Sequence, residues 1–118
     1  MVAQERKETK MNHLTYKAAI RKCGGVKKLR SELDGIENAL KGVKIFACHQ
    51  FNEEEPEDLT QDWLNIIFEY DRTDEGHGSF VKAEDDVETL MYKKGLYIIY
   101  ECNGDGYGII MSYRVKSY

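Results

Sequence analysis

The chain has 118 residues, 42% of them hydrophobic, and a formal net charge of −4. This length and composition suit one domain with a single modest core. No apolar run reaches the roughly 18 to 20 residues that span a bilayer, and the first ten residues lack the apolar segment of a secretory signal. We therefore expect a cytoplasmic protein.

Charge is distributed unevenly along the chain. Residues 1–50 carry 11 Lys and Arg against 5 Asp and Glu, a net +6, whereas residues 51–88 carry 2 against 14, a net −12. Residues 89–118 carry 4 against 2, a net +2. Such asymmetry predicts either a charged partner or pairing of the chain with itself.

Two helices are predicted in the first third of a single domain over residues 11–118, which follows an expected disordered tail over residues 1–10. The first helix covers residues 12–23 and stops at the helix-breaking pair Gly24-Gly25. The second covers residues 26–40, because apolar residues recur there every three or four positions and form one stripe. The stripe consists of Val26, Leu29, Leu33, Ile36 and Leu40. We expect it either to pack on the chain's own sheet or to form a homodimer.

Beyond Gly42 the hydrophobic period changes to two, which predicts strands over VKIFACHQF and WLNIIFEY. In the second strand, Leu64, Ile66, Phe68 and Tyr70 share one face. A short third strand is expected over SFVKA. The segment EDDVETLMYKK predicts a helix, because it begins with acids and ends with lysines.

The C-terminal segment predicts a β-hairpin formed by LYIIYEC, the turn NGDG and YGIIMSYRV. Residues 96–100 are apolar on both faces, which favours a central strand, whereas the last strand alternates and is expected to have one solvated face. The predicted order is α-α-β-β-(β)-α-β-β. The fold class is therefore α+β, an antiparallel sheet of four to five strands with two N-terminal helices and one inserted helix.

Patterns for catalysis and metal binding are absent. The glycines of GDGYG fit a hairpin turn rather than a phosphate loop, and the stretch from Asp71 has Lys82 where a calcium loop requires glutamate. Cys48 and His49 are adjacent, but neighbouring strand residues point to opposite faces, which prevents a nucleophile–base pair. Three cysteines without a C-x-x-C pair predict neither a disulfide framework nor a zinc site. We expect no enzyme activity, no cofactor and no metal.

The densest run of carboxylates surrounds Pro56, the chain's only proline. A carboxylate array can occupy a basic groove that normally holds phosphates, because the partner's Lys and Arg gain charge-assisted hydrogen bonds. We therefore expect a non-catalytic binding protein with a basic macromolecular partner, most sharply an inhibitor of a nucleic-acid-binding enzyme, by analogy with phage-encoded inhibitors. The simpler alternative is a solvated loop. The candidate partner-binding residues are Glu53, Glu54, Glu55, Glu57, Asp58, Asp62, Trp63, Asp71, Asp74 and Glu75.

Two other functions stay open. A DNA- or RNA-binding regulator would use the basic N-terminal helices, and AIRKCGGVKKLRSELDGI is similar to the opening of repressor-type helix-turn-helix domains, although it predicts no separate recognition helix. Its cations are Lys17, Arg21, Lys22, Lys27, Lys28 and Arg30. A protein that sequesters a small ligand would use the tyrosine-rich hairpin. Its tyrosines are Tyr97, Tyr100, Tyr107 and Tyr113.

Overall fold

A computed structural model describes residues 14–101 and 109–117 of the chain. Its order, α-α-β-β-α-β-β, confirms the α+β class with a four-stranded antiparallel sheet. The elements are α1 Tyr16–Lys22, α2 Val26–Asn38, β1 Val43–Gln50, β2 Trp63–Tyr70, α3 Asp74–Lys93, β3 Leu96–Glu101 and β4 Ile109–Ser117. The predicted tail and the NGDG turn lie outside the described residues.

The strands lie in the order β1-β2-β4-β3, and every neighbouring pair is antiparallel. β1 pairs with β2 over its whole length, from Val43 opposite Tyr70 to Gln50 opposite Trp63. β3 is an edge strand, so the prediction that it is central was wrong. Its two-sided apolar pattern arises because Leu96 is buried in the core, while Ile99 on the other face is half-buried opposite Arg114 of β4.

One face of the sheet carries the hydrophobic core, and all three helices of the described chain pack on it. Phe68 of β2 is fully buried there and meets the rings of Phe80 and Tyr113 edge to face, at centroid distances of 5.7 and 5.3 Å. Leu29 and Leu33 of α2 are also buried. Leu29, Leu33 and Ile36 of the apolar stripe therefore pack against the chain's own core, whereas Val26 is 46% exposed. We call the opposite side of the sheet the open face.

The segment SFVKA belongs to α3, so the predicted third strand was wrong. The helix begins earlier than predicted because the Thr73 side chain accepts a hydrogen bond from the Gly76 backbone N–H at 2.9 Å, which caps the first turn. Phe80, Ala83, Val87 and Met91 are all buried, at spacings of three, four and four. This helical period, which continues over about three turns, outweighs the strand preference of the five-residue segment SFVKA.

Candidate functional site

Residues 51–62 connect β1 to β2 and are called the acidic loop here. The Asn52 side-chain oxygen accepts hydrogen bonds from the backbone N–H groups of Glu54 and Glu55, at 3.0 and 3.4 Å. The Asp58 N–H donates to the Glu55 carbonyl at 2.9 Å, and the Asp58 carboxylate accepts from the Thr60 N–H at 3.1 Å. Internal hydrogen bonds therefore hold the loop backbone on both sides of Pro56.

The C-terminal end of the acidic loop is fastened to the rest of the protein by Asp62. Its Oδ1 lies 2.7 Å from His49 Nε2 of β1 and accepts a hydrogen bond from the Tyr16 backbone N–H at 3.2 Å. The Tyr16 ring stacks on the His49 ring with a centroid distance of 4.2 Å. Since the Asp62 side chain is only 17% exposed, its carboxylate serves mainly to close the loop.

Four glutamates of the acidic loop are exposed: Glu53, Glu54, Glu55 and Glu57. None of them forms an ion pair with a lysine, arginine or histidine among the residues that the structure describes. Four like charges within five residues repel one another, and water and salt reduce that repulsion. A cationic partner would remove it.

The other predicted residues lie apart from these glutamates. Trp63 lies on the open face, where the Arg114 guanidinium carbon is 3.6 Å from the ring centroid. Asp71, Asp74 and Glu75 follow the opposite end of β2, and an eight-residue strand spans roughly 23 Å at about 3.3 Å per residue. Asp74 and Glu75 occupy the first turn of α3, where their negative charges interact favourably with the positive end of the helix dipole. The ten predicted residues therefore do not form one patch.

The acidic face of α3 was not among the predicted site residues. Glu84 accepts a hydrogen bond from the Tyr113 hydroxyl, and Asp86 pairs with Lys82 at 3.0 Å. Asp85 and Glu88 are exposed. The charge count over residues 51–88 contains these carboxylates, but their sequence pattern is that of an ordinary helix exterior. No local signal separates them from a solvated face.

The two alternative sites differ in how exposed their residues are. The six cations of α1 and α2, from Lys17 to Arg30, are all exposed. In contrast, Tyr113 is buried on the core face of β4, whereas Tyr97 is on the open face of β3. Tyr107 lies outside the described part of the chain, as does the side chain of Tyr100. The described tyrosines of the hairpin therefore share no pocket.

A buried polar cluster joins α1, α2 and the end of α3. Lys94 Nζ lies 2.8 Å from Glu32 Oε1 and donates to the Cys23 carbonyl at 3.4 Å, and the Lys94 side chain is only 11% exposed. Burial raises the pKa of the Cys23 thiol above its ordinary 9.0, against the opposing effect of the Lys94 charge. A thiol kept neutral is a poor nucleophile.

A groove at the outer edge of β1 is the feature that the sequence did not reveal. It encloses about 740 Å³ between α2 and β1. Val26 and Phe46 both line it and are 46% and 44% exposed. Its existence depends on β1 being an edge strand, which no local pattern encodes.

Among residues 14–101 and 109–117, no group of three or more His, Cys, Asp or Glu side chains is arranged to hold a metal ion. The same residues contain no helix with the length and apolar character needed to cross a membrane. Comparison with protein-family models, curated proteins and solved structures finds no match to this chain.

Proposed function

We propose that this protein is a non-catalytic binding protein that presents its acidic loop to a basic surface of a macromolecular partner. In its sharpest form, the partner is a nucleic-acid-binding enzyme, and the loop inhibits it by occupying a groove that otherwise holds phosphates. The observation that supports this most directly is the set of four exposed glutamates on a backbone held by internal hydrogen bonds.

The hydrogen bonds of the loop matter because they reduce the entropy lost on binding. A flexible acidic segment would have to be ordered by its partner, whereas this loop is already held by Asn52, Asp58 and Asp62. Each glutamate could then accept charge-assisted hydrogen bonds from Lys or Arg. Long-range attraction would also speed the encounter, and that part of the affinity would fall with salt.

The partner is identified by affinity capture. The wild-type chain and a variant with Glu53, Glu54, Glu55 and Glu57 all changed to Gln are used as baits in native lysate, with mass spectrometry as the readout. Glutamine keeps the side-chain length and removes the charge, so we expect the partner to bind the wild type only and to elute with salt.

An effect of the charges on the acidic loop must be distinguished from an effect of the net charge of the chain. Glu54→Gln with Glu57→Gln removes two charges from the loop, and Asp85→Asn with Glu88→Gln removes two exposed charges from α3. We expect the loop pair to weaken binding of the captured partner by at least about tenfold, and the α3 pair to have little effect. Equal effects of the two pairs, or unchanged binding of the four-residue variant, would contradict the proposal.

A second candidate is a nucleic-acid-binding regulator, and the exposure of all six cations on α1 and α2 favours it. Such binding would be dominated by phosphate contacts and would weaken steeply as salt rises. A gel-shift titration at several salt concentrations tests it, with Lys27→Gln and Lys28→Gln together as the variant. Absence of a shift at low ionic strength would remove this candidate.

A further inference from the structure

β1 is an edge strand of the sheet. Its eight residues pair with β2 in unbroken register, without a bulge and without proline. In the described chain no strand pairs with its outer side. Edge strands are normally blunted by bulges, proline or several charges, and β1 carries only Lys44. Its outer backbone groups are therefore suited to pairing with another strand.

Apolar side chains flank this edge on both faces of the sheet. Val26 of α2 borders the groove on the helical side, and Phe46 borders it on the open face. Both are large apolar residues that are nearly half exposed, whereas the other exposed apolar residues of α3 and the acidic loop do not line the groove. Apolar area beside an unpaired strand edge is typical of β-strand addition.

The charges along the groove are self-complementary. Arg30 of α2 lines it, and Asp34 and Glu37 line it about one and two turns later. When two such helices lie antiparallel, the cationic end of each lies beside the acidic end of the other. A second copy of this chain supplies that arrangement without any other partner.

We infer that two copies of this chain form a dimer in which β1 pairs antiparallel with β1 of the second copy. The two four-stranded sheets then join into one eight-stranded sheet, with the α2 helices side by side across the two-fold axis. Directly opposed residues of antiparallel strands point to the same face of the sheet, so the two-fold axis must lie between one residue of β1 and the same residue of the second copy. Near the middle of the strand, that residue is Phe46 or Ala47. The two acidic loops would project at opposite ends of the dimer, although the dimer does not depend on their function.

Sedimentation equilibrium of the full chain over a wide concentration range tests this dimer. We expect the wild type to approach twice the chain mass of 13.7 kDa as concentration rises. Phe46→Lys should shift the chain to monomer, since it places two like charges near the axis. Val81→Lys is the matched control, because Val81 is similarly exposed, at 49%, but lies on α3 outside the groove, and this variant should still dimerise.

Exchanging the charges of Arg30 and Glu37 tests the antiparallel arrangement of the two α2 helices, and both residues are at least partly exposed to solvent. Arg30→Glu should weaken the dimer by at least about tenfold, and adding Glu37→Arg should restore it, because the opposite charges face each other again. Far-UV circular dichroism confirms that each variant is folded. A mass of one chain at millimolar protein, a dimer indifferent to Phe46→Lys, or no recovery in the exchanged variant would each overturn the inference. Capture of an extended peptide by a chain that stays monomeric would also overturn it.

Discussion

His49 Nε2 lies 2.7 Å from Asp62 Oδ1, and this contact joins the last turn of the acidic loop to β1. Asp62 also accepts a hydrogen bond from the Tyr16 backbone N–H, so β1, the loop and α1 meet at one carboxylate. The acidic loop is thus fastened at its C-terminal end, and none of the four exposed glutamates takes part in that contact.

His49→Ala should loosen the acidic loop more than it destabilises the protein. It removes the contact with Asp62 and the stacking with Tyr16, so we expect a loss of about 1 kcal/mol in the free energy of unfolding. Hydrogen exchange should accelerate at the amides of Glu54, Glu55 and Thr60. His77→Ala is the control, since its ring contacts Tyr70 and Phe80 instead; faster loop exchange in that variant would count against the proposed tether.

Two glycines of α3 should respond in opposite directions to alanine. A Cβ at Gly76 would clash with the Asp71 carbonyl oxygen, so the backbone must shift, and we expect Gly76→Ala to destabilise the protein by about 1–3 kcal/mol. A Cβ at Gly78 meets nothing within 4 Å, so Gly78→Ala should gain helix propensity and stabilise by up to about 1 kcal/mol. Urea unfolding of both variants measures this. Similar changes in both would mean that α3 does not approach Asp71 so closely.

Cys23 should make the free energy of unfolding depend on pH in the alkaline range. Its pKa is raised by burial, so the folded state holds the thiol proton more tightly than the unfolded state does. This contribution is fully present below the ordinary pKa of 9.0 and is lost as pH rises from that value through the folded pKa. The wild type should therefore lose more stability above pH 9 than Cys23→Ala, measured as the pH dependence of the unfolding free energy.

Thiol labelling checks the same site independently. Cys23 is buried, whereas Cys48 is partly accessible on β1. A thiol reagent should therefore modify Cys48 well before Cys23 in the folded protein. Fast labelling of Cys23 under native conditions would contradict its burial.

The two lysine–carboxylate pairs of α3 and its C-terminal end should differ in strength. Lys94→Met leaves the partly buried Glu32 carboxylate without its cation, so we expect a loss of about 2 kcal/mol. Lys82→Met breaks an exposed pair with Asp86 one turn away on the same helix, and should cost less than about 0.5 kcal/mol. Denaturant unfolding of both variants tests this, and equal losses would contradict the burial of Lys94.

The sequence by itself determined which segments form most of the elements. The alternation of Leu64, Ile66, Phe68 and Tyr70 predicted β2 with its observed ends and its buried face, because side-chain direction in a strand repeats every two residues. The stripe of α2 was likewise predicted correctly as a helix face. The −12 charge of residues 51–88 also identified the acidic loop without any structure.

Only the tertiary structure decided the rest. SFVKA contains the strand-favouring residues Phe80 and Val81, but the longer helical stripe that includes Phe80 and Ala83 packs on β2, and burial of that stripe decides the outcome. The edge positions of β1 and β3 depend on strand order, and the engagement of Asp62 by His49 depends on how β1 pairs with β2. Periodicity is set by backbone geometry within a few residues, whereas strand order is set by the packing of the whole core, and no local pattern contains it.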